Sequence, residues 1–189
     1  MFSEFLFIIR YYYFCDMKKD KLIFLDIDGV LNSELYARRF FDEKIYEKDP
    51  EASNLVDSKA VQLILALIQE TEAKLIISSS WRSWTYKDTI EDFKQFKDLT
   101  PLLPHIYGVT PHTRNAHRGE EIKYFLNFIR KRDFRECFKE PISNNYNYVI
   151  LDDDSDMLEE QSPNFVKVTY WCGITEQDVS KAIEILNKK

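Results

Sequence analysis

Five short apolar runs punctuate the chain, separated by longer stretches in which apolar residues recur at helical spacing. KLIFLD at 21–26, KLIIS at 74–78, IYGVT at 106–110, YVILD at 148–152 and NFVKVT at 164–169 read as strands. The first two are apolar on both faces, as strands of a covered parallel sheet are. Asp57-Ser58 opens a predicted helix of about 13 residues, with Val61, Ile64, Leu65 and Ile68 on one stripe. A second helix is predicted over 119–132, with Ile122, Phe125, Leu126 and Ile129 facing the core. Thr175 to Asp178 forms a capping-box pattern that starts a last helix. Residues 32–57 read as a polar and aromatic loop with a helical piece. Residues 83–105 read as mixed helix and loop, closed by Pro101 and Pro104. Strands alternating with helices predict an α/β fold: a Rossmann-like parallel sheet with helices on both faces.

The length of 189 residues, 44% of them hydrophobic, fits one domain with one core. No repeat or linker divides it. The domain is expected to span 18–189, with 1–17 as an appendage. The opening MFSEFLFIIRYYYFC is interrupted by Glu4 and Arg10 and falls short of the ~20 apolar residues a spanning helix needs. It lacks the positive start and cleavage site of a signal peptide. It reads as an added edge element, a weak interfacial anchor, or sequence ahead of the true start. No transmembrane segment and no obligate protein partner is evident.

Basic residues number 26 and acidic residues 32, a formal charge of −6, which argues against a general nucleic-acid coat. Cys15, Cys137 and Cys172 form no CxxC pair, so neither a disulfide framework nor a structural zinc site is expected. Unpaired thiols fit a reducing, cytoplasmic location.

The chemistry gathers at the strand ends, where open parallel sheets place ligands. The first strand ends in Asp26-Ile27-Asp28-Gly29, the second in Ser78-Ser79-Ser80, and the fourth in Asp152-Asp153-Asp154-Ser155-Asp156. Arg118 stands just before a predicted helix N-terminus. If these tips are neighbours, clustered carboxylates require a cation, because like charges a few ångströms apart do not all stay ionised. An oxygen-only donor set selects a hard ion such as magnesium over zinc. A metal, serines, an arginine and a helix N-terminus suit a phosphoryl group. Asp28 must lie where the strand has ended and Gly29 lets the chain turn, so Asp26 and Asp28 have different tasks: nucleophile and acid/base. The acidic run is not an EF-hand loop, since Met157 and Pro163 occupy the positions that need Gly and Glu.

These residues carry a resemblance. LDIDGVLN at 25–32 resembles the first motif of the haloacid dehalogenase-like (HAD) phosphohydrolase superfamily, IISSSWR at 76–82 the second, Arg118 the basic third and VILDDDSDM at 149–157 the acidic fourth. SSSWR, RGEEI, ILDDDSDM and GITEQDV together are similar to the HAD domains of Swiss Army knife RNA-repair proteins, over about 21–189. The resemblance implies that Asp26 attacks phosphorus and that Asp28 protonates the leaving oxygen and then activates water. It implies Mg2+ held by Asp26, the Asp28 carbonyl, Asp152 and Asp153. Ser78 would hydrogen-bond the phosphoryl oxygens and Arg118 would neutralise them; beside them Ser79 is a candidate substrate contact, and Arg82 a candidate phosphate contact or salt bridge.

In this superfamily a cap follows the first motif or the second-motif strand, and 32–57 and 83–105 are both too short for a large one. A minimal cap leaves an open site, suited to a phosphorylated macromolecule such as a nucleic-acid end, or to a nucleotide. Trp81, Trp84, Tyr86, Tyr36, Phe40, Phe41 and Tyr46 are candidate base-stacking surfaces or core. The alternatives are a protein phosphatase of the same superfamily, a receiver-like domain and a non-catalytic phosphate-binding module. The serines ending the second strand disfavour the receiver, and the presence of both Asp26 and Asp28 disfavours the binding module.

Overall fold

The structure, a computed structural model, describes residues 19–49, 55–113, 117–131, 135–140 and 142–188. The proposed appendage, residues 1–17, lies outside the described residues. Five parallel strands form one sheet: β1 (Asp20–Leu25), β2 (Lys74–Ile77), β3 (Ile106–Val109), β4 (Tyr146–Asp152) and β5 (Phe165–Lys167). Their order is β3-β2-β1-β4-β5. The chain therefore steps outward from β1 to β3, then returns to the other side of β1. That reversal makes the gap between β1 and β4 the switch point, where the carboxyl ends open a crevice.

Among the described residues six α-helices connect and cover the strands: α1 (Glu34–Asp42), α2 (Ile45–Lys48), α3 (Ser58–Thr71), α4 (Tyr86–Phe93), α5 (Arg118–Lys131) and α6 (Glu176–Leu186). Strand side chains alternate between two cores. Ile23, Leu25, Leu75, Ile77, Val149 and Leu151 face α3 and α6 in the larger core. Leu22, Phe24, Ile76 and Ile150 face Ile122, Phe125 and Ile129 of α5 in the smaller. Phe24 meets Phe125 and Tyr148 edge-on, with ring centroids 5.4 and 5.8 Å away. Deleting so buried a ring costs about 3–5 kcal/mol. Helices on both faces of a parallel sheet match the expected class.

Some expectations shift in detail. On α3 Ile64 and Leu67 are fully buried, while Leu65 is half-buried, because the stripe follows 60, 64, 67, 71 and leaves 65 at its margin. Strand β4 starts at Tyr146, two residues early, since Tyr146 and Asn147 pair with Asp20 and Lys21. Thr175 caps α6 with Asp178 in a reciprocal box, as its pattern predicts. Among the described residues, the first- and second-motif insertions hold helices of nine, four and eight residues and a 3-10 helix over Lys97–His105.

Candidate active site

The register brings the strand tips level. Leu25 lies beside both Ile77 and Leu151. The ladder then runs one residue further: Asp26 N–H donates to the Leu151 carbonyl (3.0 Å), Ser78 N–H to Leu25 (2.8 Å) and Thr110 N–H to Ile77 (2.9 Å). The side chains just past the strands are thus pinned by backbone, which costs them little further entropy to position.

Asp26 and Asp152 are both buried, and their carboxyls share one space with that of half-buried Asp153; one oxygen from each lies within 4.8 Å of the others. Burial pushes the Asp26 carboxyl up to about 6, against a hydrogen bond from Ser79 and the charge of Arg118. Burial, and next the charge of Asp26, pushes Asp152 up to about 7. Asp153 is also raised, mainly by burial. The Asp26 Oδ1 is buried without a hydrogen-bond partner. Gly29 permits this crowding: its φ is +69°, and a Cβ there would stand 2.3 Å from the Asp153 carboxyl carbon.

Arg118 opens α5, and its own N–H donates to Asp156 Oδ2 at 2.8 Å. Its guanidinium lies 3.8 Å from Asp26 Oδ1, 3.5 Å from Asp152 Oδ2 and 3.1 Å from Glu121 Oε2. One cation thus serves two strand-end carboxylates at distances too long for tight pairing. Asp156 caps the α5 N-terminus, a role separate from the trio of acids.

Asp28 sits apart, past the strand end. Its Oδ1 accepts from Asn32 Nδ2 at 2.9 Å and its Oδ2 from Ser80 Oγ at 3.2 Å, while Trp81 Nε1 stands 3.0 Å from both oxygens. Asn32 also accepts the Gly29 N–H at 2.8 Å, closing the turn.

Three further candidates are placed as follows. Ser78 is buried with its hydroxyl toward Thr110 (3.4 Å), and the serine that hydrogen-bonds Asp26 is Ser79, one residue on. Arg82 faces inward. Its side chain is 2% exposed and ion-paired with Glu121 at 2.7 Å, and it donates to the Thr110, Ser79 and Pro111 carbonyls. Four of the five guanidinium N–H groups are engaged within the protein, so Arg82 braces the loops rather than reaching outward. Trp81 is half-buried, against Phe96 at 5.2 Å, with its indole turned to Asp28 and not to solvent. Of the other candidate surfaces, Tyr36 and Phe40 are buried, Tyr86 is half-buried, and Phe41, Tyr46 and Trp84 are exposed.

Glu121, which bridges Arg82 and Arg118, and Asn32 were not singled out from the sequence. Each carried a local signal: Glu121 is three residues after Arg118 on one helix face, and Asn32 is four after Asp28 across a Gly turn. The resulting cleft has a volume of about 340 Å3 and is lined by Ser80, Arg82, His112, Arg118, Glu121 and Asp152, with Asp154 and Asp156.

The family described as HAD domain in Swiss Army Knife RNA repair proteins matches residues 22–179. The chain belongs to this family. No curated protein and no solved structure matches it. Membership makes it a HAD-like domain and, at superfamily level, places it with the HAD-type phosphohydrolases, which generally use Mg2+. Among the described residues of this HAD domain no helix is long and apolar enough to cross a membrane.

Proposed function

We propose that this HAD domain, residues 18–189, is a magnesium-dependent phosphomonoester hydrolase with Asp26 as nucleophile. The observation that carries the reading is the trio Asp26, Asp152 and Asp153, with one oxygen of each within 4.8 Å of the others and the Asp26 Oδ1 buried without a hydrogen-bond partner. That set fits Mg2+: the donors are all hard oxygens, and burial raises the Asp26 and Asp152 carboxyls to about 6 and about 7. Asp26, Asp152 and Asp153, with the Asp28 carbonyl, would hold the ion. When bound, it supplies positive charge beside the phosphoryl oxygens.

Asp26 attacks phosphorus, its carboxylate forming a bond to phosphorus as the bond to the leaving oxygen breaks. Asp28 gives its proton to that oxygen. Asp28 then takes a proton from water, whose oxygen bonds to phosphorus while the Asp26–phosphorus bond breaks; inorganic phosphate leaves and Asp26 is restored. Arg118 balances charge building on the phosphoryl group, and the Ser79 hydroxyl orients Asp26.

The substrate we infer is a phosphate on a nucleic-acid end or a nucleotide. Two things support this: the family's association with RNA repair, and short helices in place of a large cap, which leave the cleft accessible to a long chain. A cytoplasmic site of action fits the free thiols of Cys137 and Cys172.

Asp26→Asn is expected to lower Mg2+-dependent phosphate release from p-nitrophenyl phosphate about 10³-fold or more. Turnover that survives in the variant, or survives chelation in the wild type, would refute the mechanism. A panel of 3′- and 5′-phosphorylated oligonucleotides, nucleotides and phosphopeptides tests the substrate class. Preference for phosphopeptides would make the domain a protein phosphatase.

A further inference from the structure

Asp28 is held differently from Asp26 and Asp152, which share the Arg118 guanidinium. Among the described residues no cation pairs with it; three neutral donors surround its carboxylate, from two separate turns. Ser80 is exposed and its hydroxyl is free to rotate. Asn32 is shared with the Gly29 N–H. Trp81 is the rigid member: its ring packs on Phe96 at 5.2 Å, and its Nε1 lies 3.0 Å from both Asp28 oxygens. The Trp81 backbone N–H also donates to Ser79 Oγ at 3.3 Å, and the Ser79 hydroxyl hydrogen-bonds Asp26. One residue is thereby linked to both aspartates of the first motif, through the indole to Asp28 and through the backbone to Asp26.

We propose that Trp81 is a positioning residue whose indole N–H aims the Asp28 carboxyl at the leaving-group oxygen, at a fixed offset from Asp26. This inference rests on the hydrolase reading above. A tryptophan reaches where shorter donors do not, and its planar ring anchored on Phe96 leaves the N–H one direction. Because an indole N–H is a donor only, it constrains the orientation of the carboxyl and takes no proton itself.

The test exploits the leaving group. p-Nitrophenolate departs without a proton, whereas an alkoxide such as a ribose oxygen does not. Trp81→Phe keeps the ring against Phe96 and the backbone bond to Ser79 but deletes the indole N–H. Hydrolysis of an alkyl phosphate such as glycerol phosphate, or of a 3′-phosphorylated oligonucleotide, should fall about tenfold or more in kcat, while p-nitrophenyl phosphate falls less than about threefold. The melting temperature should hold, which separates misfolding from misplacement. If Trp81→Phe fails to fold, replacing the Trp81 indole with its sulfur isostere benzothiophene, which keeps the bicyclic ring against Phe96 and lacks the N–H, should show the same selective loss. Equal losses on both substrates, or none, would overturn the inference while leaving the Asp26-dependent mechanism intact. A wild-type domain without Asp26-dependent turnover would overturn both.

Discussion

The two ends of the same sheet handle their acids in opposite ways. At the amino end Asp20 meets Lys74 at 3.0 Å and accepts the Ser143 N–H at 2.7 Å. Lys74 also lies over the Tyr107 ring, 5.3 Å from its centroid. The carboxylate there has its countercharge and its donor, so nothing further is required of a ligand. The cleft beside it, about 660 Å3, is nearly twice the volume of the one at the carboxyl end. At the carboxyl end Asp26 and Asp152, with Asp153 beside them, have the Arg118 guanidinium only at 3.8 and 3.5 Å, and buried oxygens of Asp26 and Asp156 have no hydrogen-bond partner. The larger space is the quieter one. Unmet electrostatic demand marks the chemistry better than volume does.

That contrast is open to experiment, the largest effect first. Removing the guanidinium at the demanding end, Arg118→Met, should cut the rate of phosphate release about 10²-fold, measured as kcat/KM on any accepted phosphomonoester. A loss below about threefold would mean that the cation is structural and that the two ends differ less than their geometry says.

Next comes the coupling of proton, metal and stability. Carboxyls raised to about 6 and about 7 bind protons more tightly folded than unfolded. Their contribution to stability is therefore fully present below about pH 4 and lost as pH rises through 6 to 7. The metal-free domain should lose stability over that window relative to Asp152→Asn, whose amide does not titrate. Millimolar Mg2+ should raise the melting temperature of the wild type by about 2–6 °C at pH 8 and by under about 1 °C at pH 5. Equal shifts at both pH values would place metal binding elsewhere.

The smallest effect is expected at the amino end. Lys74→Met breaks a partly exposed pair worth about 1 kcal/mol at most, leaving Asp20 its Ser143 N–H. Turnover should stay within about twofold of wild type. A larger loss of activity would show that the two ends are coupled through β1 and β2.

Much of this was legible in the chain. The apolar runs marked all five strands because both faces of a covered sheet must be apolar, and alternation with helical stretches dictated parallel pairing. The acids at the ends of β1 and β4 were legible as partners because the carboxyl edge of such a sheet is where loops converge. Aromatic residues were harder to read: Tyr36 and Phe40 went inside while Trp84 stayed out, though all three looked alike as candidate platforms. Composition and spacing carry the period of an element, and Trp81 lies outside any element, in the turn after β2.

What the sequence determined alone is what depends on period and chain order: the α/β class, the five strands, the capping box of α6, and the acids that end β1 and β4. What only the tertiary structure decided is which side chains meet across turns. Ser79 and not Ser78 reaches Asp26; Arg82 turns inward to Glu121; Asp156 caps α5; Trp81 points at Asp28. The physical reason is that a strand dictates the direction of each side chain by its pleat, while a turn leaves that direction to whatever donor, charge or ring the fold brings within about 3 Å.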